Sequence, residues 1–166
     1  QTGFLDADET LPFTVSVTPP AGTLPGVVYT ATVEARSLNT LGIEATDTLT
    51  DVTTVIESVG WLFIPDAQSQ TTPDNSSVTF LHTLQNVGNV ADGASLTVMG
   101  VPDTWVVTLE PTAVSPVPPL ATIPVTVTVS VPPNSGGLVH TAVITAASTS
   151  DPAITATAVD TTTVLS

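Results

Sequence analysis

Few side chains in this sequence are of a type that does chemistry, and their neighbours indicate what each is for. The two histidines are His82 and His140. An imidazole can serve as acid, base or metal ligand near neutral pH, but both stand in alternation with apolar residues: Phe80, His82, Leu84 and Leu138, His140, Ala142. Alternation places the members of each set on one face of a strand. Both are therefore expected as core histidines with satisfied hydrogen bonds, not as ligands. A serine hydrolase needs a nucleophile, a base and an orienting acid brought together, and the sequence contains no Gly-x-Ser-x-Gly elbow. The absence of cysteine removes thiolate nucleophiles, thiolate metal sites and disulfides. Paired glycosidase carboxylates cannot be picked out by spacing. The expected set of catalytic residues is empty, and the chain is not expected to be an enzyme.

Carboxylates are the remaining chemistry. Asp6, Asp8 and Glu9 crowd one segment and are the calcium candidates, because Ca²⁺ is held by several clustered oxygen ligands. The run lacks the central glycine and the distal bidentate glutamate of an EF-hand loop. Asp66, Asp74, Asp92, Asp103 and Asp151 fall at predicted loops and are expected as solvated surface charge. No cofactor is expected, with calcium at the first cluster as the alternative. Asn75-Ser76-Ser77 is an N-glycosylation sequon in a predicted loop, which makes Asn75 the glycosylation candidate. Aromatic residues make up only 4% of the chain, too few for an extended sugar-stacking platform. Trp61 and Trp105 are expected in core or interdomain packing.

Charge narrows the partners. The 166 residues carry fifteen carboxylates against one cation, Arg36, for a formal net charge of -14. No basic surface exists to neutralise phosphates, so nucleic acid is not an expected partner, and an anionic membrane surface is repelled in the same way. No stretch approaches the roughly 20 apolar residues that span a bilayer as a helix, and no basic segment followed by an apolar run opens the chain. Gln1 reads as a processed or cut end. One basic residue leaves a trypsin-like protease little to cut, which suits an extracellular or cell-surface location.

The elements that must position these residues are strands. Valine and threonine dominate the sequence, and β-branched side chains lose rotamer freedom in helices but pack well on pleated sheets. The chain also repeats itself. LPFTVSVTPP from Leu11 returns as IPVTVTVSVPP from Ile123, GVVYTATVEARS from Gly26 returns as GLVHTAVITAAS from Gly137, and DVTTV from Asp51 returns as DTTTV from Asp160. The offset is about 110 residues, close to the roughly 100 residues of an immunoglobulin-sized sandwich. The repeat sets Tyr29 against His140, a swap that keeps an amphipathic ring and discards a ligand. Residues 1–55 then form the C-terminal part of a sandwich that needs strands from elsewhere. Residues 56–166 form a complete one.

Within the complete copy, strands are expected near Trp61 to Ile64, Ser77 to Gln85, Ala94 to Val98, Trp105 to Leu109, Ile123 to Val131, Leu138 to Ala147 and Ile154 to Val164. Ile123, Val125, Val127, Val129 and Val131 point one way, as do Val27, Tyr29, Ala31, Val33 and Ala35 in the partial copy. Asn86-Val87-Gly88-Asn89 and Pro132 to Gly137 supply turn chemistry. Pro124 requires an edge or strand-start position, because it cannot donate to a ladder.

The string HTLQNVGNVADGASLTV from His82, followed by Trp105, Leu109-Glu110-Pro111, IPVTVTVSVP and TAVITAASTSDP, resembles the repeated immunoglobulin-like modules of bacterial and archaeal surface proteins of the NEW3 and DUF11 type. The resemblance covers most of Ser77 to Val164. It implies an all-β immunoglobulin-like sandwich in a cell-surface, surface-layer, stalk or accessory role and supplies no catalytic residues. The expected function is a structural subunit or repeat of an extracellular filament, surface layer or stalk. Its partners would be copies of itself, joined head to tail by strand complementation or sandwich stacking, or neighbouring repeats of the same chain. The alternative is a carbohydrate-binding or accessory module of an adhesin or glycosidase.

Overall fold

A computed structural model describes residue 6 and residues 8–37 and 45–166 of the chain. Among them the regular structure is eleven strands, with no helix. Two make a hairpin, β1 (Val28–Arg36) and β2 (Thr46–Thr54). The other nine are β3 (Trp61–Ile64), β4 (Ala67–Thr72), β5 (Ser77–Asn86), β6 (Asp92–Met99), β7 (Val106–Glu110), β8 (Ala113–Val117), β9 (Thr122–Ser130), β10 (Val139–Ser148) and β11 (Thr155–Val164). All seven expected strands form, within one or two residues of the expected limits. Two more, β4 and β8, appear where the sequence gives no clear alternation.

The nine strands build two sheets, one in the order β3-β5-β9-β7 and one in the order β4-β11-β10-β6-β8. Every pairing is antiparallel except that of β4 with β11, which is parallel. The chain changes sheets between β3 and β4, turning at Pro65 and Asp66. The result is an all-β, immunoglobulin-like sandwich. Its core is filled by the alternating inward residues of both sheets, among them Phe63, Phe80, Leu84, Val125, Val127 and Ile144, each with 2% exposure or less. Trp61 and Trp105 are buried as expected. Leu138, expected on the inward face, is exposed because β10 begins only at Val139.

Pro124 lies in β9, between β5 and β7. The pairing with β7 runs only as far as Thr126, so the proline occupies a stretch where β9 has a neighbour on one side. That resolves its missing donor locally.

The segment Leu11 to Pro20 matches β9 in sequence but forms no strand. In the sandwich, β9 has β5 on one side and β7 on the other. No described residue pairs with 11–20 as a strand, so alternation without a ladder leaves it outside any sheet and mostly exposed.

Candidate functional site

The deepest polar group is His82. It lies on the inward row of β5, which reads Val78, Phe80, His82, Leu84 and Asn86, every one buried. Its Nε2 is 2.9 and 3.0 Å from the two oxygens of Asp160 on β11, and its Nδ1 is 2.7 Å from the Pro65 carbonyl oxygen. Both side chains are fully shielded from solvent, and Phe63 meets the ring edge-on with centroids 5.9 Å apart. Since a carbonyl only accepts, Nδ1 donates to Pro65 and the remaining shared proton lies between Nε2 and the carboxylate. Burial pushes the Asp160 carboxyl above its ordinary value, while the hydrogen bond and charge of His82 pull it part of the way back. With both ring nitrogens committed and no solvent access, the pair ties one sheet to the other and to the β3–β4 crossover. This is the satisfied core histidine that the sequence leads one to expect.

A second carboxylate is buried at Asp92, the first residue of β6, at 1% exposure. One oxygen accepts the Trp61 indole N–H at 3.0 Å. The other accepts the Gly93 N–H at 2.9 Å, the Ser150 hydroxyl at 2.7 Å and, more weakly, the Thr149 hydroxyl and Ser150 N–H at 3.3 Å. Burial raises this carboxyl, but hydrogen bonds from Ser148, Ser150 and Trp61 outweigh it and hold the group below its ordinary value. Asp92 is thus not the solvated surface charge expected of it. It fastens β3, β6 and the turn after β10.

The Asn86-Val87-Gly88-Asn89 turn joins the incoming chain to the sandwich. Asn86 is fully buried and donates to the carbonyls of Val90 and Val117 while accepting the Gly88 N–H. Asn89 faces the other way. It accepts the Ser58 N–H at 2.7 Å and donates to the Ile56 carbonyl at 2.8 Å. The connection between hairpin and sandwich is therefore clamped, and Gly88 packs so closely that an added Cβ would stand 2.5 Å from the Ser58 carbonyl oxygen.

Among the described residues, the hairpin has no second sheet packed against it. In β1–β2, Tyr29 pairs with Thr53, Ala31 with Asp51 and Val33 with Leu49. In β10–β11, His140 pairs with Thr162, Ala142 with Asp160 and Ile144 with Ala158. The two hairpins share one register, position for position along the sequence repeat. The inward row of β10–β11 is buried under the opposite sheet, whereas Asp51 is exposed and Leu49 is 52% exposed. Phe13 lies over this face beside Val33, Ala35 and Leu49, forming one wall of a shallow cleft, and is itself 63% exposed.

No family model matches the chain. No curated protein is significantly similar to it. Among solved structures it is similar to the secreted serine protease VesC from Vibrio cholerae, with 14% identity over 58% of this chain and a TM-score of 0.43. It is also similar to PapD-like domain 7 of human CEP192, with 9% identity over 95% of this chain and 96% of that one, at a TM-score of 0.44. A protein of unknown function from Porphyromonas gingivalis W83 matches 87% of this chain with 69% of its own, at 14% identity and a TM-score of 0.44. The chain spans 21% of the length of the Vibrio protease.

The other sequence candidates fall as follows. Glu9 folds back on its own turn, its carboxylate accepting the Asp6 N–H at 2.8 Å, and Asp8 takes a positive φ of 66° there. Among the described residues no three His, Asp or Glu side chains converge as a metal site. Asn75 is exposed at the β4–β5 turn with a φ of 48°. His140 is half-buried and meets Trp105 edge-on at 4.6 Å between centroids. Sequence reasoning missed the inward carboxylate of Asp160, although the row Ala156, Ala158, Asp160, Thr162, Val164 has the alternation that reveals it.

Proposed function

We propose that this chain is an extracellular, non-catalytic structural module that joins its neighbours by completing the open β1–β2 face with β-strands from another sandwich unit. The neighbour is a second copy arranged head to tail, or an adjoining repeat of the same polypeptide. One observation supports the reading: two hairpins of the same register lie in one chain, one covered by a sheet and one with no sheet against it among the described residues. An unpaired strand and an uncovered apolar face are templates for another chain. Main-chain hydrogen bonds supply affinity and alternate side chains supply register.

The acidic composition, with a single basic residue, supports a surface location, as does the resemblance to NEW3- and DUF11-type surface repeats. Heterologous head-to-tail contacts extend into open filaments when the rotation does not close. The carbohydrate-binding alternative draws no support from Trp61 and Trp105, both buried. Sedimentation velocity from micromolar to millimolar chain tests the proposal. Concentration-dependent growth of discrete oligomers or filaments is expected, and a folded species that stays monomeric throughout refutes self-assembly.

A further inference from the structure

β5 is flanked by β9 along nearly its whole length, from Ser77 to Gln85, but by β3 only from Thr83 to Asn86. Beyond Thr83 the chain of β3 turns at Pro65 and Asp66 and crosses to the opposite sheet as β4. Residues 77–81 are thus left without a paired strand on that flank among the described residues, and an unpaired edge is a template for a strand of another molecule. Main-chain carbonyls recur along one flank of a strand at every second residue, and here those of Thr79 and Leu81 are already taken. Gln70 Nε2 lies 2.7 Å from the Thr79 carbonyl oxygen, and Gln68 Nε2 lies 2.7 Å from that of Leu81. A carbonyl only accepts, so both amides donate.

The spacing is that of an antiparallel ladder. Two residues forward along β4 correspond to two residues back along β5, with side-chain amides in place of main-chain N–H groups. Thr72, next in the same row, continues it with its hydroxyl 2.6 Å from that of Ser76. The main chain of β4 is meanwhile paired with β11, so this strand belongs to one sheet by its backbone and to the other by its side chains. Gln68 and Gln70 are half-buried in a row that faces the sandwich interior, where an amide is tolerated only through the bonds it donates. The geometry points to a sealing role for the two glutamines: they occupy the β5 carbonyls that a second copy of this chain would use to pair its own β5 edge with this one. Two identical edges can meet antiparallel about a two-fold axis, each offering residues 77–81 to the other, and the glutamines close that route. The inference does not depend on how the β1–β2 hairpin is covered.

The chain contains no cysteine, so a single Thr79→Cys on the exposed face of β5 reports such pairing without background. In a two-fold β5 pair centred on Thr79 the two thiols stand opposite each other, and a short bis-maleimide joins them. The cysteine is placed in the full-length parent, in Gln70→Met, and in Gln68→Met with Gln70→Met; methionine keeps the reach of glutamine and removes the donor. Cross-linked dimer should increase about tenfold or more from the parent to the double variant, because the incoming strand no longer displaces two hydrogen bonds. Gln70→Met alone should lie between. Gln68 Nε2 is 3.5 Å from His82 Nδ1, so if the double variant loses its buried-tryptophan fluorescence the comparison rests on Gln70→Met. Thr157→Cys, on the exposed face of β11, serves as the control and should cross-link equally in all backgrounds. Thr79 cross-linking that is the same in parent and variants, or that rises only in step with Thr157, overturns the inference. Assembly through the hairpin is common to every background, so its presence or absence in sedimentation is scored separately and does not alter this outcome.

Discussion

Replacing Asp160 with alanine should cost the sandwich about 3–5 kcal/mol, the range found when one partner of a buried ion pair is removed. The magnitude follows from the geometry. His82 loses a partner held at 2.9 and 3.0 Å, and a hydrogen bond to a charged group contributes about 1.5–3 kcal/mol net. Its Nε2 is then left without a partner in a site with no solvent access, and an unsatisfied buried polar group costs about 1–3 kcal/mol more. Urea unfolding followed through Trp61 and Trp105, both buried, reads the change. With a slope of about 1.5–2 kcal/mol/M the midpoint should fall by about 2 M. The companion double variant, His82→Leu with Asp160→Leu, removes both polar partners and should lie within about 2 kcal/mol of the parent, because well-packed apolar residues often replace a buried pair without net loss. An Asp160→Ala cost below about 1 kcal/mol, or a double variant as unstable as both singles combined, would show that the two groups are not coupled.

Two other perturbations probe the remaining buried polar groups. Because Asp92 is held below its ordinary value of 3.8, its contribution is complete above that pH and is lost as the pH falls through the lower native value. Asp92→Asn should therefore be less stable than the parent at neutral pH and show a flatter acid-side profile, measured as thermal midpoints between about pH 2 and 7; parallel profiles contradict the assignment. Gly88→Ala forces a Cβ to within 2.5 Å of the Ser58 carbonyl oxygen, so a loss of about 1–3 kcal/mol is expected in chemical denaturation, with faster proteolysis near residues 56–58. A neutral substitution there would mean that the turn does not clamp the entering chain.

The sheet frame was readable because β9 alternates strictly and β5 and β10 nearly so, and period-two burial needs only local sequence. The two edge strands of the five-stranded sheet were not readable. β4, AQSQTT, is polar on both faces and owes its place to parallel pairing with β11 about ninety residues away, while β8 contains Pro116 and is held at one side only. The buried carboxylates were missed for a related reason. An aspartate carries a default expectation of solvent, and what overrides it at Asp92 is a set of donors 31 to 58 residues distant in sequence. At Asp160 the inward phase was visible, but the partner was 78 residues away. The segment 11–20 shows the converse case. Its alternation is as regular as that of β9, yet a strand exists only where neighbours exist to pair with it.

The parallel pairing of β4 with β11 has a mechanical consequence. The chain enters β4 at Ala67 and leaves β11 at Val164, and the two strands run side by side in the same direction over six paired residues, Ala67 with Val159 through Thr72 with Val164. Tension that draws the two ends of the sandwich apart reaches β4 through β3, which is held to β5 over four paired residues, and pulls β11 from its end, so that β4 and β11 are loaded along the strand axes. The pairings are then sheared together instead of being opened one at a time, as they would be in a hairpin pulled at its ends. A module strung in series with others would thus resist most at the β4–β11 pairing, which gives way abruptly once its six paired residues are sheared.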